Sequence, residues 1–233
     1  MSARKVTAEI LEKGRYLTSR VRGAAWASLS HSEGISLRVD QGTRIRNAHK
    51  VRFGRNCWLK ENVILDGRSD LSLGIDFADG VIIRAGTYID SYGGQGFVRL
   101  GKNVGIGQHV YIGGNGGVLI EDDVMVSGHC YIVAATHNLD PNSSAPYRAQ
   151  GESRRGIVIR QNAWVAAGSV VMDGVEIGTN AVVGAGSVVT RSVPPNVVVA
   201  GTPARVVRGV SDTPWRLREV EVTDASDARS EEG

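Results

Sequence analysis

Long apolar runs are absent from this 233-residue sequence, and proline and phenylalanine are scarce. The longest apolar segments are far shorter than the roughly 20 residues that a membrane-spanning helix requires. Because no signal-peptide hydrophobic region precedes a cleavage site, we expect a cytoplasmic protein. Six prolines and three phenylalanines stand against 30 glycines, which favours many tight turns over long helices.

Cysteine is also rare. Cys57 and Cys130 lie too far apart in the sequence to form a metal-binding pair, and a cytoplasmic chain has little use for a disulfide. Burial accounts for both, and a nucleophilic role is not expected because a nucleophilic thiol would want an exposed, electropositive setting with a base nearby.

Positive charge is concentrated at the front of the chain. Residues 1–60 hold 13 Lys and Arg against 4 Asp and Glu, a net charge of +9, whereas the rest of the chain carries −6. A solvated helix face is the common cause of such a bias, and a membrane surface or a polyanionic substrate is the alternative. No nucleic-acid recognition motif appears, so no nucleic-acid partner is expected.

An aliphatic residue recurs every six positions through most of the chain. Six is too long a period for an amphipathic helix and suits a short strand followed by a turn, repeated in a solenoid. We predict about six triangular coils of three repeats, with a partial coil at Val39 and Ile45 in front. The predicted inward positions, in triplets, are Phe53, Leu59, Leu65; Leu73, Ile83, Ile89; Leu100, Ile106, Ile112; Ile120, Val126, Ile132; Ile159, Val165, Val171; and Ile177, Val183, Val189.

The six-residue period is interrupted by insertions, of which residues 138–156 form the longest. That segment begins directly after Thr136 and His137. Insertions at the corners of a solenoid are common places for functional residues.

The run "GIVIRQNAWVAAGSVVMDGVEIGTNAVVGAGSVVTRSVPPNVVVAGTPARVVRG", residues 156–209, resembles the hexapeptide-repeat acyltransferases, in particular the branch of sugar and polysaccharide O-acetyltransferases. The resemblance implies an all-β, left-handed parallel β-helix, although general rules for parallel crossovers would predict the opposite hand. It also implies a homotrimer with active sites between subunits, acetyl-CoA as donor, and a sugar or cell-surface polysaccharide precursor as acceptor.

Three regions are predicted on this basis. Residues 1–38 form an N-terminal helical cap, residues 39–209 the β-helix domain with the inserted loop 138–156, and residues 210–233 a partly disordered tail. Ile10, Leu17 and Val21 share one helical face in the first region. Capping the β-helix is the first interpretation of this helix, and peripheral membrane contact is the second.

Acetyl transfer to a hydroxyl requires a base, donors for the oxyanion and a coenzyme site. Imidazole is a natural base near neutral pH. "ATHNLDP" resembles the catalytic-histidine segment of the family, which implies that His137 is the general base. Asp140 could orient the imidazole, but an aspartate before proline more often forms a turn. Gln150 contacts either the acceptor or solvent.

Other site residues are also implied by the resemblance. His109 stands where the galactoside branch has an acceptor-binding asparagine, so it either binds a different acceptor or has no role. His129 is expected to be solvated, as are His31 and His49. The oxyanion donor would be the backbone amide of Ala167, three residues after Trp164.

The same resemblance places Arg191 and Arg208 near the phosphates of the coenzyme, with Arg205 as a nearby candidate and Trp164 and Ala167 along the same site. Keeping the end of the solenoid soluble would equally explain the arginines.

Several other functions remain as alternatives. A γ-class carbonic anhydrase would bind zinc through three histidines, but the sequence lacks that family's close histidine pair, and no metal is expected. A non-catalytic scaffold predicts no coenzyme contacts. An acetyltransferase acting on an antibiotic or another small molecule is also possible within the family.

Overall fold

A computed structural model describes residues 3–32 and 36–212. It shows one helix followed by a parallel β-helix whose coils each contribute one strand to each of three sheets. Of the C-terminal tail predicted at residues 210–233, residues 213–233 lie outside the described part.

The predicted all-β fold is confirmed, with seven coils rather than about six, because the predicted partial coil at Val39 and Ile45 is complete. Helix α1 (Ala3–Ala27) comes first. The coils contain β1 (His31–Ser32), β2 (Arg38–Val39), β3 (Arg44–Arg46); β4 (Val51–Phe53), β5 (Trp58–Leu59), β6 (Ile64–Asp66); β7 (Ile75–Phe77), β8 (Ile82–Ile83), β9 (Tyr88–Asp90); β10 (Val98–Leu100), β11 (Gly105–Ile106), β12 (Tyr111–Gly113); and β13 (Val118–Ile120), β14 (Met125–Val126), β15 (Tyr131–Val133). A two-stranded ribbon, β16 (Thr136–His137) and β17 (Glu152–Ser153), interrupts the coils. After it come β18 (Ile157–Ile159), β19 (Trp164–Val165), β20 (Val170–Val171); β21 (Glu176–Ile177), β22 (Val182–Val183), β23 (Val188–Val189); and a closing hairpin, β24 (Val197–Gly201) and β25 (Ala204–Gly209).

We call the three faces of the prism sheets A, B and C. Sheet A takes the first strand of each coil, sheet B the second and sheet C the third, and successive coils pair in parallel. Sheet B ends in β24 and in β25, which pairs antiparallel. Short 3₁₀ turns occupy Ala48–Lys50 and Tyr147–Ala149.

The inward position predicted at Leu73 is wrong. Phe77 occupies it, fully buried and aligned with Phe53 below and Leu100 above. Phe77 lies six residues before Ile83, so this coil keeps the regular spacing. Leu73 belongs to the insertion 67–74 at the corner before β7, where the six-residue period is interrupted.

All the long insertions lie at one edge of the prism, where sheet C leads to sheet A. They comprise residues 67–74, 91–97, 114–117 and 134–156. The corner from sheet B to sheet C has tight turns that need a residue with a positive φ. His109 (53°) and His129 (61°) adopt this conformation in two of them. We call the two corners the C–A edge and the B–C edge.

Helix α1 lies against the first coil. Trp26 and Ala27 pack on the core, and Gly23 lies against the backbone of Leu37. Leu17 and Val21, from the predicted apolar face, are both more than 60% exposed, while the side chain of Ile10 lies outside the described part. None of the described helices is long and apolar enough to span a membrane.

Candidate functional site

The insertion after coil 5 begins and ends in a small antiparallel ribbon. β16 pairs with β17, so that Thr136 lies opposite Ser153 and His137 opposite Glu152. The chain therefore returns to the histidine after a polar loop of fourteen residues, 138–151. The ribbon stands at the C–A edge, outside the packed prism.

His137 faces a carboxylate. Its Nε2 atom lies 3.9 Å from Oε1 of Glu152, and its side chain is about half exposed. Oε2 of Glu152 accepts hydrogen bonds from Arg154 at 3.1–3.2 Å. The distance to His137 is too long for a hydrogen bond and short enough to stabilise a protonated ring.

Glu152 was missed by the sequence analysis. It lies fifteen residues after His137, and only the antiparallel register brings the two together. The one available signal was a short polar segment directly before the regular coil at Ile157.

A buried carboxylate anchors the second strand of the ribbon. Asp173 accepts hydrogen bonds from Ser153 Oγ at 2.8 Å and from the backbone amides of Arg155 and Gly156 at 2.9 Å. Its side chain is almost completely buried. The strand that carries Glu152 is thus fixed to coil 6 directly after that residue.

Asp140 and Gln150 brace the loop between the ribbon strands. The Asp140 amide donates to Gln150 Oε1, and Gln150 Nε2 donates to the carbonyl of Ala145, both at 2.8 Å. Asp140 Oδ1 accepts from the amide of Asn142, as in a turn. The carboxylate that the structure places opposite His137 is that of Glu152.

His109 and His129 stack on each other at the B–C edge. Their ring centroids lie 5.2 Å apart with an angle of 23° between the planes. Both rings are exposed. The exposed position of His129 agrees with the solvated histidine predicted from the sequence, and its ring additionally stacks on that of His109.

Ala167 lies at the same edge, in the turn after β19. Its amide N–H donates to no group among the described residues, while its carbonyl accepts from Gly186. Such an amide is available to donate to an oxyanion. Trp164 is partly exposed on sheet B, and its Nε1 donates to Ser127 Oγ at 3.0 Å.

The residues proposed for the chemical step therefore lie at two different edges of one chain. His137, Glu152 and the loop lie at the C–A edge, whereas His109 and Ala167 lie at the B–C edge. Sheet C separates the two edges, so a single chain does not bring His137 and Ala167 together.

The three arginines proposed for the coenzyme lie near the last coil. Arg191 follows sheet C and is exposed, and Arg205 lies exposed on β25. Arg208, also on β25, donates through Nη1 to the carbonyls of Gly209 and Asp212 at 2.9 and 3.1 Å. Part of its guanidinium therefore holds the turn that follows β25.

Both cysteines are buried, as expected. Burial raises the pKa of the Cys57 thiol to about 11 and also raises the pKa of Cys130. The thiols donate to the carbonyls of Ala78 and Ala166, respectively. Protonated, buried thiols are poor nucleophiles.

Within residues 3–32 and 36–212, no three His, Cys, Asp or Glu side chains are grouped so that they could hold a metal ion. The stacked histidines are accordingly a pair without a third ligand in the described part of one chain.

Comparisons with known proteins identify the family. Residues 156–191 match the model "Bacterial transferase hexapeptide (six repeats)". WbbJ of Escherichia coli (strain K12), named as a lipopolysaccharide biosynthesis O-acetyl transferase, is 31% identical over 169 residues, which cover 70% of this chain and 80% of WbbJ. The galactoside O-acetyltransferase of Lactococcus lactis is 37% identical over 123 residues, or 50% of this chain and 58% of that enzyme.

Among solved structures, a variant of AntD, an N-acyltransferase from Bacillus cereus in complex with coenzyme A and a dTDP-amino sugar, shares the fold. Its TM-score is 0.51 at 16% identity, covering 81% of this chain and 88% of AntD. The predicted left-handed β-helix of the acyltransferases is confirmed. The repeat family, the coverage of WbbJ and the seven-coil fold agree, and the chain belongs to the hexapeptide-repeat O-acetyltransferases.

Proposed function

We propose that this protein transfers the acetyl group of acetyl-CoA to a hydroxyl of a sugar or of a cell-surface polysaccharide precursor, with His137 as general base. The observation that carries the proposal is the pairing of His137 with Glu152 on the ribbon that opens the long insertion. Family membership supports the reaction class.

The reaction needs one proton to move and return. The His137 imidazole takes the hydroxyl proton as the acceptor oxygen attacks the thioester carbonyl carbon. The Glu152 carboxylate stabilises the imidazolium so formed. The amide of Ala167 donates to the oxyanion of the tetrahedral intermediate. Collapse of the intermediate expels the coenzyme thiolate, which takes up the proton and leaves the imidazole neutral.

We place the coenzyme along the last coils. Trp164 and Ala167 would line the acyl end, and Arg191, Arg205 and Arg208 would meet the phosphates, since guanidinium groups bind phosphate through charge-assisted hydrogen bonds. AntD, with the same fold, is a coenzyme A complex.

A carbohydrate acceptor is supported by the relatives. They are named for galactoside acetylation and lipopolysaccharide biosynthesis. Asp140 and Gln150 give the loop 138–156 a defined shape, so it can form one wall of the acceptor pocket. We assign His109 to acceptor binding at the opposite wall.

We further propose a homotrimer. His137 and Ala167 lie at different edges of one prism. A neighbouring subunit that sets its B–C edge against the C–A edge of the first would unite the base with the oxyanion donor.

Release of the coenzyme thiol from acetyl-CoA tests the function, measured against a panel of oligosaccharides, nucleotide sugars, amino acids and an aminoglycoside antibiotic. Acceptor-dependent release with a carbohydrate, and an O-acetyl ester in the product, is the expected result. Release only with an amine acceptor, or with none, would contradict the proposal.

A further inference from the structure

A cleft of about 630 Å³ lies between helix α1 and the outer face of sheet B in the first two coils. Its cations are Lys13, Arg15 and Arg22 from the helix and Arg38 and Lys60 from the sheet. Its only carboxylates among the described residues are Asp40 and Glu61. The lining therefore carries about three uncompensated positive charges, from five cations against two anions.

Most of these cations have no internal acceptor. Within the described part of the chain, the side-chain nitrogens of Lys13, Arg15 and Lys60 donate to no hydrogen bond or ion pair. By contrast, Arg22 Nε donates to the carbonyl of Val39 at 2.8 Å. Asp40 accepts from the indole of Trp58.

Arg38 is held between two aromatic rings. Its guanidinium carbon lies 3.4 Å from the ring centre of Trp58 and 4.7 Å from that of Tyr16. Its Nε atom is fully buried and has no hydrogen-bond partner. The stacking explains how Arg38 joins the helix to the coil, but it leaves a buried donor unsatisfied, which is costly in a folded protein.

Lys60 also lacks a counter-ion. Its ammonium lies 3.0 Å from the ring centre of Trp58. Burial lowers the pKa of Lys60, while the charges of Asp40 and Glu61 raise it and those of Arg38 and Arg84 lower it. A bound anion would add a direct partner for this partly buried ammonium.

We propose that this cleft binds a diphosphate group. A single carboxylate would neutralise one of the surplus charges, whereas a diphosphate matches several, and it can bridge the helix wall and the sheet wall. Lysine and arginine are the usual phosphate ligands. Strands in a sheet lie about 4.8 Å apart, so coils 2 and 6 are about 19 Å apart, which separates the cleft from the ribbon and the last coils.

Calorimetric titration with inorganic pyrophosphate tests the site on the full chain at low salt. We expect one pyrophosphate per chain. Arg15→Gln and Lys60→Gln should each weaken binding at least about tenfold, since each removes a charge-assisted contact. Lys102→Gln, at an exposed lysine in the turn between β10 and β11, should leave binding unchanged.

Chemical acylation of Lys60, followed by mass spectrometry, locates the bound ion independently of affinity. Pyrophosphate should protect Lys60 and leave Lys102 reactive. No binding, or equal binding by all three variants without protection of Lys60, would overturn the proposal.

Two further probes identify the source of the diphosphate. Uridine diphosphate presents it on a soluble nucleotide, and neutral vesicles doped with farnesyl diphosphate present it on a lipid. Displacement of pyrophosphate by either probe supports the proposal and names the carrier. Displacement by neither would show that the cleft takes only an adventitious ion, which contradicts it.

Discussion

Glu152 is the residue whose charge the proposed mechanism needs most after His137 itself. Its carboxylate lies 3.9 Å from the imidazole. Glu152→Gln keeps the side-chain shape and removes the charge that stabilises the imidazolium. We expect kcat to fall roughly tenfold or more, less than the loss of the base would cause, with KM for acetyl-CoA unchanged.

Glu176→Gln is the matched control for this variant. Glu176 pairs with Arg160, which holds the pKa of the Glu176 carboxyl below its usual value, and it lies on the outer face of sheet A. Its substitution should leave kcat unchanged. Equal losses of kcat in both variants would contradict the stabilisation of the imidazolium by Glu152.

The Cys57 thiol makes the free energy of unfolding depend on pH in the alkaline range. Burial raises the pKa of its thiol from 9.0 to about 11. The folded chain keeps this proton to a higher pH than the unfolded chain. The contribution of the protonated Cys57 thiol to the free energy of unfolding is therefore complete below pH 9 and is lost between pH 9 and 11. Two pKa units correspond to roughly 2–3 kcal/mol.

Urea unfolding from pH 8 to 11 measures this dependence. Cys57→Ala should lose less free energy of unfolding over that range than the unaltered protein. The remaining loss should reflect Cys130 and Tyr111, whose pKa values burial also raises. Parallel curves for the two proteins would contradict the assignment.

At the scale of elements, the close approach of α1 to the first coil depends on Gly23. A Cβ atom there would lie within bonding distance of the Leu37 carbonyl oxygen. Gly23→Ala should therefore push the helix off the coil and lower the free energy of unfolding by about 1–3 kcal/mol. Gly14→Ala, with open space around it, should raise it by up to about 1 kcal/mol.

Chemical denaturation measures the free energy of unfolding of both variants, which should fall in Gly23→Ala and rise in Gly14→Ala. Stabilisation by both would show that α1 does not pack against Leu37 as described.

The coils were largely predictable from the sequence because the six-residue period repeats the same packing problem in every coil. Phe77 was missed because the insertion before β7 conceals where the six-residue period resumes, so Leu73 was assigned to the inward position. The ribbon was not predictable, since the register of β16 with β17 depends on a loop with no period. His137 was implied by a resemblance, but its partner Glu152 needed three-dimensional structure.

At the scale of the whole molecule, the two edges of the prism explain why one chain is insufficient for the proposed chemistry. Tyr88, Tyr111 and Tyr131 form a column on the outer face of sheet C between these edges, with the Tyr111 and Tyr131 rings 4.9 Å apart. An aromatic surface in this position suits subunit packing. Sedimentation equilibrium at micromolar concentration should give three times the chain mass of 24.8 kDa. A clean monomer would contradict the shared site.

The most direct test of the central claim is the single-turnover rate of acetyl transfer by His137→Ala, measured with the carbohydrate acceptor that the panel identifies. The His137 side chain is half exposed and outside the core, so thermal stability should hardly change. We predict that the rate falls by about 10² to 10⁴ while acetyl-CoA still binds with its original affinity. An unchanged rate in a folded, acetyl-CoA-binding variant would contradict the assignment of His137 as the base.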